Sequence, residues 1–264
     1  MKVTLITGAS GGIGEAITRK IAEQKNNVVL VARNEAKLQI LCKELALKHQ
    51  IQANYIVADL AQEDAPKLVY DTCKKENYEV ESLINNAGIG SGGEFAEISL
   101  ESELAMMHLN MNSMVSLTHY FLQDMKIRKS GTIVNVGSMI SFMPIPYMAL
   151  YGATKAFVRF FTQALYEECK PYHIHVMLLS PGLTETNFMR AAKLENKTGE
   201  ALTAVGRTQT PEQVAEEFIG AYLKKKPFHV SGSFNRFGVK IISLIPNRTI
   251  AKQGAKSYRK RLAN

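Results

Sequence analysis

The chain has 264 residues, 46% of them hydrophobic and 21% charged, which is enough for one well-buried core and too little for two full-sized domains. It has no apolar run near the ~20 residues that span a bilayer and no room for a secretion signal before Gly8, so we expect neither a membrane-spanning nor a secreted protein. The net charge of +8 comes from the tail, because residues 224–264 hold eleven of the 32 Lys and Arg and none of the 24 Asp and Glu.

β-branched runs alternate with segments of helical period along most of the chain. Strands are predicted at residues 3–7, 27–32, 53–59, 82–86, 131–137, 174–180 and 228–231. Helices are predicted at residues 12–25, 34–49, 62–76, 99–128, 149–170 and 211–224. This alternation is typical of right-handed βαβ units, so we expect an α/β fold with a doubly wound parallel sheet. The irregular stretch 183–210 is predicted to be a substrate lid, since it is longer than ordinary loops.

A glycine-rich turn follows the first predicted strand and leads directly into a helix. It reads TGASGGIG over residues 7–14. Glycines let the backbone approach a ligand, and the N–H groups and dipole of a helix N-terminus attract an anion, so this turn predicts a pyrophosphate site. Its spacing, G-x-x-x-G-x-G, differs from the usual dinucleotide fingerprint and resembles the loop of short-chain dehydrogenases/reductases.

Other motifs of that family occur in the family's order over roughly residues 1–232. Asp59 follows the third strand, where the family's Asp binds the adenine amino group. Asn-Asn-Ala-Gly at 85–88 closes the fourth strand, where it supports the sheet and lines the cofactor, and Pro181-Gly182-x-x-x-Thr186 follows the sixth. The resemblance implies a Rossmann fold and hydride transfer with a nicotinamide cofactor.

The spacing Tyr-x-x-x-Lys occurs four times, so it identifies no site by itself. The pairs are Tyr70/Lys74, Tyr151/Lys155, Tyr166/Lys170 and Tyr222/Lys226. Only the second pair has a serine thirteen residues before its tyrosine, where the family places one, and this Ser138 closes a strand at the ligand-binding edge of the sheet. The other three pairs are predicted to lie on exposed helix faces. Asn110 falls where the family carries its helix-borne catalytic asparagine, so the resemblance implies a catalytic set of Asn110, Ser138, Tyr151 and Lys155.

The resemblance implies a role for each member of this set. A phenol serves as general acid and base when its pKa falls from ~10 toward neutrality. Lys155, one helical turn beyond Tyr151, brings a positive charge that favours the phenolate, and in the family this lysine also holds the nicotinamide ribose. Ser138 is expected to orient the substrate oxygen, and Asn110 to hold a water that links the lysine to solvent.

NADP is the expected cofactor. An NAD enzyme carries Asp or Glu after its second strand, whereas this chain has Arg33, which can pair with a 2′-phosphate; the alternative is that Arg33 only begins a solvated helix. One departure from the family is Gly11, where a second basic residue is common. The residues predicted to bind the cofactor are Gly8, Ser10, Gly11, Gly12, Ile13, Gly14, Arg33, Asp59, Leu60, Asn86, Ala87, Gly88, Tyr151, Lys155, Pro181, Gly182, Thr184 and Thr186.

Apolar residues flank the catalytic positions along the sequence. Those predicted to line the substrate site are Met139, Met143, Tyr147, Leu183 and Phe188, and Met189 follows them. Such a wall suits an apolar carbonyl or secondary alcohol, because it offers few charges to recognise a carboxylate or phosphate. The alternative for each of these residues is a place in the core.

The tail over residues 233–264 is predicted to be basic, helical and amphipathic. Apolar side chains recur at helical spacing in 235–246 and 248–262, among lysines and arginines. Such a segment can lie on an anionic membrane, cover a subunit interface or be a solvated end, and these alternatives stay open. Nucleic acid is not expected, because no recognition motif accompanies the charge. We expect the tail to lie outside the catalytic machinery.

The sequence thus predicts an NADP-dependent oxidoreductase, with a catalytic domain over 1–232 and the tail after it, similar to hydroxysteroid and ketoacyl reductases. Two other functions stay open: a non-catalytic NADP-binding or scaffold protein, and a nucleotide-sugar epimerase. We expect a homodimer or homotetramer. The cysteines Cys42, Cys73 and Cys169 lack the spacing of a metal site or disulfide framework, so we expect no metal and a cytoplasmic protein, with peripheral membrane contact open to the tail.

Overall fold

The computed structural model describes residues 1–186, 188 and 208–262. The strands in these ranges are β1 (Lys2–Thr7), β2 (Val28–Ala32), β3 (Ala53–Val57), β4 (Glu79–Asn85), β5 (Gly131–Val136), β6 (Ile174–Ser180) and β7 (Phe228–Val230). They form one sheet in the order β3-β2-β1-β4-β5-β6-β7, and every pairing is parallel. The strand order reverses between β1 and β4, so the crevice in which such sheets bind ligands lies outside the carboxyl ends of these two strands.

The helices lie close to the predicted segments. They are α1 (Gly12–Glu23), α2 (Glu35–His49), α3 (Ala65–Lys75), α4 (Leu100–Met107), α5 (Ser113–Arg128), α6 (Ala149–Cys169), α7 (Pro211–Leu223), α8 (Ser233–Ile242) and α9 (Asn247–Leu262). Residues 187 and 189–207, most of the stretch predicted as a lid, lie outside the described residues. Within the described ranges, no helix combines the length and apolar character needed to cross a bilayer.

Helices cover both faces of the sheet, which confirms the predicted doubly wound α/β fold. On one face α1, α2 and α7 pack together through buried side chains that include Ile17, Leu38 and Phe218. On the other face α3, α5 and α6 bury side chains that include Val69 and Phe121. All five residues of β2 are buried, as expected for an interior parallel strand.

One predicted helix, over 99–128, is interrupted in the structure. Its two halves, α4 and α5, are joined by a π-helical turn at His108–Asn112. A π turn holds one residue more than the α-helical geometry allows, so it rotates the side chains that it carries relative to both flanking helices. Asn110 sits in this turn and is buried there. The apolar periodicity of the segment does not reveal the turn, because the chain stays helical on both sides of it.

Candidate active site

The carboxyl ends of β1 and β4 are tied together by Thr7 and Asn86. The Thr7 hydroxyl oxygen accepts hydrogen bonds from the backbone N–H groups of Asn86 and Ala87, both at 3.0 Å. The Asn86 amide donates in turn to the carbonyl oxygens of Thr7, at 3.0 Å, and Gly8, at 3.3 Å. The glycine turn and the Asn-Asn-Ala-Gly segment therefore form one surface at the edge of the sheet.

Two glycines of the turn cannot be replaced without strain, one because of its backbone conformation and the other because of a close approach. Gly8 has a φ of +66°, in the left-handed region that favours glycine. A Cβ on Gly14 would lie 2.3 Å from the carbonyl oxygen of Gly8 and 2.4 Å from Nδ2 of Asn86. Across the turn, Thr186 lies beside Gly12, where an added Cβ would be 3.1 Å from its Cγ2. The turn thus exposes backbone at the N-terminus of α1, as a pyrophosphate cradle requires.

Arg33 lies at the rim of this crevice, just after β2. Its Nη1 is 3.9 Å from Oδ2 of Asp59, and its side chain is largely exposed. Asp59 is held by the backbone N–H of Ala61, which donates to its Oδ1 at 3.1 Å. The last residues of β2 reach the glycine turn, since the carbonyl oxygen of Val31 accepts from the N–H of Gly8 at 2.8 Å. Arg33 and Asp59 are therefore neighbours beside the turn, and their contacts with a cofactor stay predictions.

The remaining residues predicted to bind the cofactor follow strand ends at the same edge. Ser10, Gly11 and Ile13 belong to the glycine turn. Leu60 follows Asp59, and its carbonyl oxygen accepts from the Ser113 hydroxyl of α5. After β6, the carbonyl oxygen of Pro181 accepts from the N–H of Met139 at 2.8 Å, and Thr184 forms an isolated bridge with Gln209.

Asn110 is fixed by three hydrogen bonds. Its Oδ1 accepts from the backbone N–H of Ile89 at 3.0 Å, and its Nδ2 donates to the Ile89 carbonyl oxygen at 2.9 Å and to the Thr154 hydroxyl at 3.1 Å. A Cβ on Gly88 would lie 3.1 Å from Asn110 Oδ1 and 3.5 Å from Lys155 Nζ. Both side chains thus border Gly88, so the π turn brings Asn110 next to the helix that carries the lysine.

Ser138, Tyr151 and Lys155 come together where β5 ends and α6 begins. The Ser138 hydroxyl is close enough to the Tyr151 phenol to lower its pKa, and it accepts a hydrogen bond from the backbone N–H of Ile140 at 3.2 Å. The Lys155 ammonium lies 5.9 Å from the centre of the Tyr151 ring and donates to the carbonyl oxygen of Val136 at 3.0 Å. All three side chains are buried. The structure therefore assembles the four residues predicted as the catalytic set into one buried cluster at the crevice.

Burial has the largest effect on the pKa values of Tyr151 and Lys155 in this cluster. It raises the pKa of Tyr151 above its ordinary value of 10, and the nearby Ser138 hydroxyl, which lowers the pKa, opposes this only partly. Burial also lowers the pKa of Lys155 from 10.5 to about 8. The direction at Tyr151 is opposite to the expected fall toward neutrality, because burial disfavours the charged phenolate. At neutral pH the tyrosine keeps its proton, and the lysine stays mostly charged.

An apolar cluster surrounds Tyr151. Met106 of α4 and Met148 are buried in it, and the ring of Phe188 lies 5.4 Å from the ring of Tyr151. Of the residues predicted to line the substrate, Phe188 joins this cluster, whereas Met139, Met143, Tyr147 and Leu183 are partly buried in the segments after β5 and β6. Met189 lies outside the described residues.

Several residues at the site have no signal in the sequence motifs. Thr154, at an unspecified position within the Tyr-x-x-x-Lys motif, holds Asn110, and Met106 and Met148, which stand outside the family motifs, border Tyr151. Their positions follow from helix packing. The amphipathic pattern of α4 and α6 indicated buried faces there, but not which of the buried residues would meet the site.

The tail contacts two of the predicted site segments. The amide of Asn235 lies against Gly182, where an added Cβ would be 2.1 Å from its Nδ2. Tyr258 of α9 is buried and stacks on Tyr147, with ring centres 3.6 Å apart, and Arg259 Nε donates to the Tyr147 hydroxyl at 3.2 Å. This differs from the expectation that the tail stands apart from the site. The division at residue 232 stays a prediction.

The other Tyr-x-x-x-Lys pairs lie away from the crevice, but their tyrosines are not on exposed faces as predicted. Tyr70 and Tyr166 pack against the core face of α3, α5 and α6. Tyr222 shares a hydrogen bond of 2.6 Å with the Ser82 hydroxyl of β4. In each of these pairs the tyrosine ring is partly buried and the lysine is exposed. The spacing alone does not reveal this difference. Among the described residues there is no group of three His, Cys, Asp or Glu side chains that could hold a metal ion.

Comparison with known proteins agrees with this geometry. The model of the short chain dehydrogenase family matches residues 2–197. Sulfoacetaldehyde reductase 2 of Chromohalobacter salexigens is 32% identical over 87% of this chain and 90% of its own. The very-long-chain 3-oxoacyl-CoA reductase of Mus musculus is 30% identical over 82% of this chain and 73% of its own. A solved short-chain dehydrogenase from Sphingobium yanoikuyae in complex with NADPH has a TM-score of 0.80 and 27% identity, covering 87% of both chains. The chain therefore belongs to the short chain dehydrogenase family.

Proposed function

We propose that this protein is an NADP-dependent oxidoreductase that interconverts an apolar carbonyl compound and its secondary alcohol. The observation that carries the proposal is the buried cluster of Asn110, Ser138, Tyr151 and Lys155 beside the glycine turn. A buried phenol beside a serine, next to a dinucleotide cradle, is the arrangement that proton transfer to a carbonyl oxygen requires. The relatives compared above are named reductases and a dehydrogenase, so neither a scaffold protein nor an epimerase is favoured.

The residues at the crevice fit NADP. Close packing of Gly14 against Gly8 and Asn86 leaves bare backbone for the pyrophosphate at the N-terminus of α1, and the exposed guanidinium of Arg33 suits a 2′-phosphate. Asp59, Ala87, Gly88 and Thr186 lie along the same edge, where they would hold the rest of the dinucleotide. When bound, the cofactor supplies or accepts the hydride.

The chain's own residues handle the proton. Tyr151 holds its proton at neutral pH because burial raises its pKa, so it donates to the oxygen that becomes an alcohol. Ser138, beside Tyr151, orients the same oxygen. Lys155 stays mostly charged near pH 7, since its pKa is about 8, and its charge favours the phenolate left after donation. Asn110, fixed by Ile89 and Thr154, keeps the neighbouring surface polar for a water that connects the lysine to solvent.

The substrate is an apolar molecule. The groups nearest Tyr151 are Met106, Met148 and Phe188, with Ile89 and Ile140 packed against them. Thioether and aromatic side chains adapt to varied apolar shapes and give no partner to a charged substrate group. As further proposals, the protein forms a homodimer or homotetramer, and its tail attaches it peripherally to a partner surface.

The test is an absorbance assay with NADPH against a panel of aldehydes and ketones, and with NADP against secondary alcohols. We expect turnover that favours apolar members of the panel. Tyr151→Phe should reduce turnover at least about a hundredfold, the usual contribution of a general acid, while NADPH binding stays nearly intact. Tyr166→Phe, from another pair with the same spacing on the same helix, is the matched control. Full activity of Tyr151→Phe would contradict the mechanism, and a panel without turnover would contradict the function.

A further inference from the structure

Both helices of the tail are amphipathic, but the structure uses their apolar sides differently. In α9, the ring of Tyr258 is buried against Tyr147, and Gly254 lies against Pro146, where an added Cβ would be 3.4 Å from the proline ring. The apolar stripe of α9 is therefore buried against the body of the molecule at Tyr258.

In α8 the inward and outward sides are both occupied by uncharged residues. Asn235 and Val239 face the body of the protein and are buried. On the outer side, Phe237 is 63% exposed and Ile241 43%, and in the turn that follows α8, Leu244 is 84% exposed and Ile245 38%. We call these four outer residues the α8 face. Large apolar side chains clustered in this way on a surface mark a contact site more often than chance.

Exposed basic side chains lie in α8 and in α9, the helix that follows it. Lys240, Arg248, Lys252 and Lys256 are exposed, and within the described residues none of them forms a salt bridge. Residues 224–264 contain no Asp or Glu at all. Each such lysine or arginine would therefore meet a partner as an uncompensated positive charge.

We propose that the α8 face docks on an anionic lipid surface. Apolar side chains that enter the headgroup region, with basic side chains beside them, are what interfacial helices combine. A second copy of the chain fits less well, because a two-fold interface would bring the same cations face to face. This inference deepens the tail attachment proposed above by naming its surface and partner. It does not depend on the catalytic assignment, and its test measures binding rather than turnover.

The first experiment is co-sedimentation of the full chain with vesicles of phosphatidylcholine, with and without phosphatidylserine. We expect binding only to the anionic vesicles, and release as salt rises, because screening weakens the attraction. Leu244→Ser should weaken binding at least about tenfold by removing an apolar side chain that enters the headgroup region on binding. Leu47→Ser is the matched control, since Leu47 is 83% exposed on α2, and it should bind as the parent does. Lys240→Gln should weaken binding about fivefold, as expected for one cation near an anionic surface.

The second experiment uses the absence of tryptophan from the sequence. Phe237→Trp places a single fluorophore on the α8 face, and Leu47→Trp places one elsewhere. We expect anionic vesicles to shift the emission of the first variant to the blue and to leave that of the second unchanged. Equal shifts in both, or no sedimentation with anionic vesicles, would overturn the proposal. The proposal would also be overturned if, without lipid, the parent protein had a larger solution mass than the Leu244→Ser variant. That result would assign the α8 face to a second copy of the chain.

Discussion

Replacing Lys155 with methionine should make the protein more stable and inactive. The ammonium is buried, and its pKa falls from 10.5 to about 8. At about 1.4 kcal/mol per pKa unit, this corresponds to a penalty of about 3 kcal/mol for keeping the charge in the fold at neutral pH. Methionine removes the penalty and fills a similar volume. It also leaves the carbonyl oxygen of Val136 without its donor, which costs about 1 kcal/mol.

The balance is a gain of about 2 kcal/mol at pH 7, or roughly 4–8 °C in melting temperature for a domain of this size. The gain should depend on pH in a defined direction. Between pH 8 and 10.5 the unfolded chain keeps a proton on Lys155 that the folded protein has lost, so the free energy of unfolding of the parent rises with pH. Below pH 8 both states are charged and the full penalty applies. By pH 10 the advantage of Lys155→Met should have vanished.

Thermal and urea unfolding of the parent and the variant, followed by far-ultraviolet circular dichroism at pH 7 and pH 10 without cofactor, measures this effect. Lys43→Met, at an exposed position on α2, is the control and should show no pH-dependent difference. The reasoning would be refuted if Lys155→Met were less stable than the parent at pH 7. It would also be refuted if the stability difference between variant and parent were the same at pH 7 and pH 10. The same variant should lose turnover and bind NADPH more weakly, since the lysine is proposed to serve both the ribose and the phenol.

Three further predictions concern the cofactor crevice and the tail. NADPH should bind more tightly than NADH in a fluorescence titration, and Arg33→Asp should shrink or reverse that preference, because the 2′-phosphate then meets an anion; equal affinities in the parent would argue against the assignment. Gly14→Ala should destabilise the protein by about 1–3 kcal/mol, whereas Gly11→Ala, where a Cβ meets nothing within 4 Å, should change the stability by less than about 0.5 kcal/mol, and urea midpoints compare the two. Tyr258→Ala removes the ring stacked on Tyr147, so we expect KM for apolar substrates to rise several-fold with kcat little changed; an unchanged KM would separate the tail from the substrate site.

The order of strands and helices could be predicted from the sequence because the apolar periodicity of each segment reports its own burial. β2 illustrates this: its five successive apolar residues are readable as a strand covered on both sides, and all five are buried. The glycine turn and Ser138, Tyr151 and Lys155 were also accessible from the sequence. In a parallel sheet, residues that follow strands come to one edge whatever the details of packing.

Other features depended on contacts between residues far apart in the chain. The π turn that carries Asn110 cannot be distinguished from α-helix by its pattern, and its place is defined by hydrogen bonds to Ile89 and Thr154. The pKa of Tyr151 was predicted in the wrong direction, because its burial arises only on folding.

The tail shows most clearly what the sequence determines and what the tertiary structure determines. By itself the sequence predicted basic amphipathic helices over residues 233–264, since periodicity and charge are local properties. Only the tertiary structure decided that Tyr258 of α9 is covered by Tyr147, more than a hundred residues earlier in the chain, while the α8 face stays exposed. An amphipathic pattern shows that a helix has an apolar side to bury, but the surface that covers it is supplied by other elements, whose positions are fixed only when the whole sheet has formed.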